Sequence, residues 1–261
     1  MTFRQSDSKT LAYFEKKGKS AVIQRMDYLG KSIRFIESQN EQNGDALIIF
    51  VHGAPGSSQD MLYFLADSTL LQKARMISVD RLGYGFSDYG HAEVSISKQA
   101  EMISALIKDA QESQIILVGH SFGGPIVAKA AVLDSKIDGI LMLAPVNDPY
   151  HEKMFKVSYF GKWKLTRWML SKAFKVSADE KFAHEAELLK MKDDWKKLNI
   201  PVVHIHGDKD GLAPIENIAW SEQNIPSENL KIVRDENLDH FIPFKNRELV
   251  VQELDYLIEQ R

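Results

Sequence analysis

The 261-residue chain contains no cysteine, which excludes disulfide frameworks, thiolate nucleophiles and Cys-ligated zinc while leaving the compartment open. No run of about 18 apolar residues occurs, so no membrane-spanning helix is expected. Met1 to Thr10 lacks the charged-then-apolar pattern of an export signal. The chain as written is therefore expected to be soluble and cytoplasmic, or exported or lipid-anchored if residues before Met1 have been trimmed. An excess of charge is missing too: 33 basic against 36 acidic residues leave a net charge of −3, too little for an overall field that draws in nucleic acid or an anionic membrane. With only 15 glycines and 8 prolines, collagen-like and low-complexity readings fall away, and 44% hydrophobic residues suffice for one packed, enzyme-sized domain. A small-molecule substrate is the expected partner, and oligomeric state is not legible.

What is present is an alternation. From Ala46 onward short Ile/Val/Leu runs alternate with longer amphipathic segments, the pattern of βαβ units around a parallel sheet. Ala46 to Val51, Arg75 to Val79, Gln114 to Val118, Gly139 to Leu143, Val202 to Ile205 and Leu230 to Val233 are the candidate strands, nearly all Ile/Val/Leu-rich rather than alternating, as expected for strands covered on both faces. Asp60 to Lys73, Ser97 to Gln111, Pro125 to Leu133 and Glu248 to Glu259 have helical spacing. Upstream, Val22 to Tyr28 and Ile33 to Glu37 flank Leu29-Gly30-Lys31 as an antiparallel edge hairpin, preceded by a short helix near Leu11 to Lys16. From about Asn147 to Asn199 strand signals disappear. This reads as a helical insertion, giving a core of residues 1–146 and 200–261 and an insertion of residues 147–199. Within the insertion Ser177-Ala178-Asp179-Glu180 has the spacing of a capping box opening a helix, with Leu188, Met191 and Trp195 on one face.

The sharpest chemical signal is Gly119-His120-Ser121-Phe122-Gly123, a G-x-S-x-G directly after a strand and directly before a helix. Such a serine sits on a turn too tight for neighbouring side chains, which accounts for the glycines, and the helix N-terminus beside it favours a developing oxyanion. A Gly-rich strand-to-helix turn without chemistry is the competing reading. His204 and His206 share a strand face and could ligate a metal. No third ligand stands at a helpful spacing, so they are read as structural and no metal or cofactor is expected.

Four motifs taken together, in order and spacing, resemble the α/β-hydrolase superfamily: His52-Gly53-Ala54-Pro55-Gly56, Asp80-Arg81-Leu82-Gly83-Tyr84-Gly85-Phe86-Ser87-Asp88, the Ser121 turn, and Gly207-Asp208-Lys209-Asp210 with Pro214. The resemblance implies an α/β fold: a mostly parallel sheet with an antiparallel edge hairpin, helices on both faces and a helical cap over the strand C-termini. It also implies Ser121 as nucleophile, backbone amides of Ala54 and Phe122 as oxyanion donors, and the order nucleophile, acid, histidine. His240 is the sole histidine after Asp210, and Asp210 is the implied acid, with Asp208 and Asp148 as rivals. The Asp80 to Asp88 loop is implied to brace the site. Asp239 stands where many relatives have glycine, and it either competes for the imidazole or faces solvent.

The insertion is rich in aromatics, and Phe155, Tyr159, Trp163 and Trp168 either help to roof a hydrophobic pocket or only pack the cap onto the core; its lysines either attract anionic substrates or, the preferred reading, keep the outer face soluble. The function implied is a serine hydrolase acting on a carboxylic ester or related acyl compound without a cofactor. An aminopeptidase or a C–C bond hydrolase on the same triad is the alternative within enzymes. A hydrolase-like small-molecule receptor is the alternative outside them.

Overall fold

The computed structural model describes residues 4–38 and 44–260. After a helix, α1 (Asp7–Glu15), whose first turn is capped by the Ser6 hydroxyl, the chain forms β1 (Ala21–Tyr28) and β2 (Lys31–Ser38), antiparallel to each other. Leu29 and Gly30 both have positive φ (52° and 77°), the geometry of the two-residue turn that matches strand twist. The buried runs then become β3 (Ala46–Val51), β4 (Ala74–Val79), β5 (Gln114–His120), β6 (Gly139–Leu143) and β7 (Val202–Gly207), with β8 (Leu230–Asp235) half-buried at the edge. The eight strands lie in the order β1-β2-β4-β3-β5-β6-β7-β8, parallel from β4 to β8, with β2 antiparallel to β4.

Alternate residues of each central strand feed opposite faces, so the sheet carries two cores. On one face Leu47, Ile49 and Leu117 meet α4 (Ile96–Leu106) and α5 (Gly123–Leu133). On the other Ile48, Phe50 and Val118 meet α11 (Arg247–Glu259). Asp60 to Lys73 is not one helix. It is a 3-10 turn over Ser58–Met61 followed by α2 (Leu62–Leu65) and α3 (Ser68–Leu71), because the Asp67 carboxylate accepts the amides of Thr69 (2.9 Å) and Leu70 (3.1 Å) and restarts the helix there.

Between β6 and β7, among the described residues, the chain is helical only: α6 (Lys156–Lys162), α7 (Lys164–Arg167), α8 (Lys172–Lys190) and a 3-10 turn over Trp195–Lys197. α8 starts at the Ser171 cap, six residues before Ser177, so Ser177 to Glu180 is mid-helix rather than a capping box. Its carboxylates are used elsewhere: Asp179 pairs with Arg167 (2.6 Å), and Glu180 reaches down to the loop after β4. Leu188, Met191 and Trp195 are buried together but not on one helix, since α8 ends at Lys190 and Trp195 opens the 3-10 turn.

That reach ties this helical stretch to the sheet. Arg81, fully buried, makes a two-pronged pair with Glu180 (Nη1–Oε1 2.7 Å, Nη2–Oε2 3.1 Å) and donates to the carbonyls of His52 and Gly53. Tyr84 Oη and Gln99 Nε2 donate to the same carboxylate. Nearby, Asp80 accepts from the Ser58 and Phe86 amides and from Arg34, and a Cβ on Gly85 would lie 2.1 Å from its carboxyl carbon. The loop thus braces rather than reacts. Removing one member of a buried pair strands the other charge, at a cost of about 3–5 kcal/mol. Glu180→Gln is accordingly expected to lower the urea midpoint sharply, and Arg81→Met with Glu180→Leu to recover much of the loss. An unchanged midpoint in Glu180→Gln would show that the clamp carries no stability.

Candidate active site

β5 ends at His120 and α5 begins at Gly123, leaving Ser121 in the turn with φ of 54°, a left-handed conformation that costs a non-glycine residue and marks a turn held by its surroundings. Two contacts explain the flanking glycines. A Cβ on Gly119 would stand 2.4 Å from the Gly123 carbonyl oxygen, and one on Gly123 would stand 2.3 Å from that of Val51. The Ser121 amide is pinned to the Leu143 carbonyl (2.9 Å) at the end of β6.

β7 delivers Asp210 in its following turn, and the loop after β8 delivers His240. Their side chains meet, Nδ1 to Oδ2, at 2.8 Å. A carboxylate can only accept, so Nδ1 carries the hydrogen and Nε2 keeps its lone pair. Burial pushes the Asp210 carboxyl up, but the His240 bond and charge and the amides of Ala213 and Leu212 (both 2.8 Å) outweigh it and hold the group below the usual carboxylate range. The rivals are occupied elsewhere: Asp208 pairs with Arg234 (2.7 Å), and Asp148 with His151 (2.6 Å) and the Tyr150 amide. Asp239 caps the Phe241 amide and pairs with Lys245, leaving the imidazole alone.

Ser121 and His240 line one cavity of about 240 Å³, together with Ala54, Asp60, Phe174 and Phe244. Among the described residues the amides of Ala54 and Phe122 donate to no protein group, and both residues sit in one small apolar cluster with Val146 and Ala213. Two amides left free near a serine hydroxyl are available to an anionic oxygen.

A second cavity of about 300 Å³ adjoins the first, sharing Ala54, Pro55, Phe174 and Leu212 and adding Phe122, Phe155, Leu170 and Lys181. Phe155 lines this second cavity. Tyr159, Trp163 and Trp168 do not. They are exposed, and Tyr159 and Trp163 border only a shallow surface depression. The reason is the contact between α6 and α8: a Cβ on Gly161 would fall 2.3 Å from that of Ala178. Small residues bring α6 close against α8, where Tyr159 packs edge-on against the Phe182 ring instead of facing the cavity.

Several residues at the site had no distinct sequence signal. His120 is held neutral by burial and by the neighbouring His240, which push its pKa down to about 3, and its Nε2–H donates to the His240 carbonyl at 2.9 Å. It thereby positions the catalytic-histidine candidate. Asp60 on the cavity wall is pushed up to about 6, chiefly by burial, with the Ser57 amide opposing and the Asp80 charge adding. Lys181 is buried against Glu152, which also holds His184, and the His184 ring stacks 4.1 Å from that of Phe122. His204 and His206 form a buried relay: Ser221 Oγ to His204 (2.9 Å), His204 to His206 (3.1 Å), His206 to the Ala213 carbonyl (3.2 Å). It steadies the loop that holds Asp210. Among the described residues no group of three or more His, Asp or Glu side chains is arranged to hold a metal, and no helix is long and apolar enough to cross a membrane.

Comparison with known proteins points the same way. A mitochondrial palmitoyl-protein thioesterase of Mus musculus, ABHD10, is 26% identical over 195 residues, 70% of this chain and 65% of that one; the chain thus spans just under two thirds of this relative. Among solved structures, mouse alpha/beta hydrolase domain-containing protein 10 superposes with a TM-score of 0.69 at 18% identity, covering 92% of this chain and 99% of that one. A haloalkane dehalogenase, DatA, from Agrobacterium tumefaciens C58 gives 0.72 at 17% identity, covering 92% and 97%. At such identities the superpositions speak for the fold alone. The profile of the alpha/beta hydrolase fold matches residues 46–189, from β3 through the Ser121 turn to α8, and with the sheet order and the turn geometry it places the chain in the alpha/beta hydrolase family.

Proposed function

We propose that the protein is a serine hydrolase that cleaves a carboxylic ester or related acyl compound, thioesters included, through an acyl-enzyme. The observation that carries the reading is the 2.8 Å bond between His240 and Asp210 on a cavity whose wall also presents Ser121. His240 Nε2 takes the Ser121 proton as Oγ attacks the acyl carbon, and the Ala54 and Phe122 amides receive the oxyanion. The imidazolium returns the proton to the departing alcohol or thiol. Water, activated by the same nitrogen, then releases the acid. Residues 147–199 act as a cap, and the largely apolar second cavity under it takes the acyl chain. The name of the mouse thioesterase relative, a palmitoyl-protein thioesterase, supports an acyl chain of this kind.

A second reading has one observation in its favour. Asp60 puts a carboxyl on the catalytic cavity wall, where an aminopeptidase would need an anion for the substrate amine. Its preference for the neutral form up to about pH 6 suits an uncharged substrate better.

The test is turnover of p-nitrophenyl esters from acetate to decanoate by the intact chain, with fluorophosphonate labelling alongside. Hydrolysis is expected, with the longer acyl chains preferred over acetate. No turnover of any ester or thioester and no labelling, in protein shown to be folded, would sink the reading and favour a receptor.

A further inference from the structure

The outward-facing side of α6, α7 and their flanks has no role in the proposed chemistry. From Met154 to Lys175 the chain carries six basic residues, Lys156, Lys162, Lys164, Arg167, Lys172 and Lys175, and no Asp or Glu, although the whole chain is net negative. Arg167 is matched by Asp179. Among the described residues none of the five lysines has a carboxylate within ion-pair distance, though Lys162 lies over the Phe182 ring and Lys172 over the Tyr89 ring. Between them stand Trp163, Leu165, Trp168 and Met169, with 65%, 86%, 74% and 68% of their surface exposed, and Phe160 at 53%. The Trp168 indole N–H is satisfied by the Leu165 carbonyl (2.9 Å), so its ring faces outward without an unmet donor.

Five large apolar side chains this exposed within ten residues of chain mark something that covers them. A second copy of the same face would bring lysines against lysines and no acids. A surface of negative charge with an apolar interior meets both features at once: tryptophans at headgroup depth, leucine and methionine below them, lysines against anionic headgroups. The geometry points to this face as a docking surface for an anionic phospholipid bilayer. The small net charge of the chain hides it, because the compensating acids lie elsewhere.

The same stretch also walls the second cavity from the inside through Phe155, Ser158, Leu170 and Phe174. A chain drawn from a docked bilayer would enter directly beside Phe122 and Ala54, which makes acyl lipids the substrate class. This last step rests on the proposed hydrolase activity; the docking does not.

The experiment is flotation of the full chain with phosphatidylcholine vesicles, with and without about one quarter phosphatidylserine. Co-flotation is expected with the anionic vesicles, together with a blue shift of tryptophan emission. Trp163 and Trp168 are the exposed indoles and report this, whereas Trp195 and Trp220 are already buried. Binding should weaken as salt rises to about 0.5 M. Trp163→Ser with Leu165→Ser and Trp168→Ser should bind at least about tenfold more weakly with an unchanged Tm, these side chains being solvent-exposed. Absence of flotation with either vesicle would overturn the proposal, as would a triple variant that binds like wild type. So would a dimer by light scattering that buries both indoles without lipid. Loss of ester turnover with flotation intact would instead fault the hydrolase reading alone.

Discussion

Ser121→Ala is expected to abolish ester turnover, with kcat falling by about six orders of magnitude, as it does when the nucleophile of a triad is removed and only binding and oxyanion donors remain. Three features of the site make the loss this large. Ser121 is the hydroxyl on the strained turn at the mouth of α5, the amides of Ala54 and Phe122 have nothing to stabilise without an attacking oxygen, and a water in its place lacks the fixed aim that the Gly119 and Gly123 contacts impose. Steady-state hydrolysis of the best p-nitrophenyl ester, compared at equal folded concentration, measures it. Fluorophosphonate labelling should disappear in parallel. The fold should persist, because the Ser121 backbone is held by the Leu143 carbonyl and not by its side chain. Equal activity in both proteins would remove Ser121 as nucleophile.

Asp210→Asn is the second large effect, a drop of about 10⁴ in kcat. Asparagine keeps an oxygen for the amides of Leu212 and Ala213, so the loop should hold. Turned that way, it offers an N–H to His240 where the carboxylate had accepted one. The imidazole is then driven to put its hydrogen on Nε2, the nitrogen that must take the Ser121 proton. Pre-steady-state acylation and Tm separate the two consequences: acylation should slow by the full factor while Tm moves little. A loss below about tenfold would show that Asp210 orders the loop without orienting the base.

The central sheet and the serine turn were legible because their causes are local. β3, β5 and β7 are buried runs rich in Ile, Val and Leu, and the serine turn needs its glycines for clashes that arise within a few residues or against the neighbouring strand. The choice among Asp208, Asp210 and Asp148 rested on resemblance, since two of them occupy one turn and only three-dimensional placement separates a group facing Arg234 from one facing His240. Asp60, Lys181 and Glu152 gave no signal: their setting is created by residues distant in sequence, such as Asp80 for Asp60 and Phe122 for Lys181. The aromatics of α6 and α7 were misjudged for a related reason. Composition says that Trp163 and Trp168 are large and apolar, but the side they face depends on how closely Gly161 lets one helix approach another. Ser177 to Glu180 has a helix-start spacing that loses to the earlier Ser171 cap and to the partners waiting for Asp179 and Glu180.

The Arg81–Glu180 clamp bears on how this lineage can change. Helical excursions at this point of a sheet are natural places for recombination, since both ends of the segment leave and rejoin neighbouring strands. Here the loop after β4 has committed a buried guanidinium to a carboxylate ninety-nine residues away. A transplanted segment that lacks an acid at that height would inherit an orphaned charge, so the loop after β4 and the helical segment are constrained to change together.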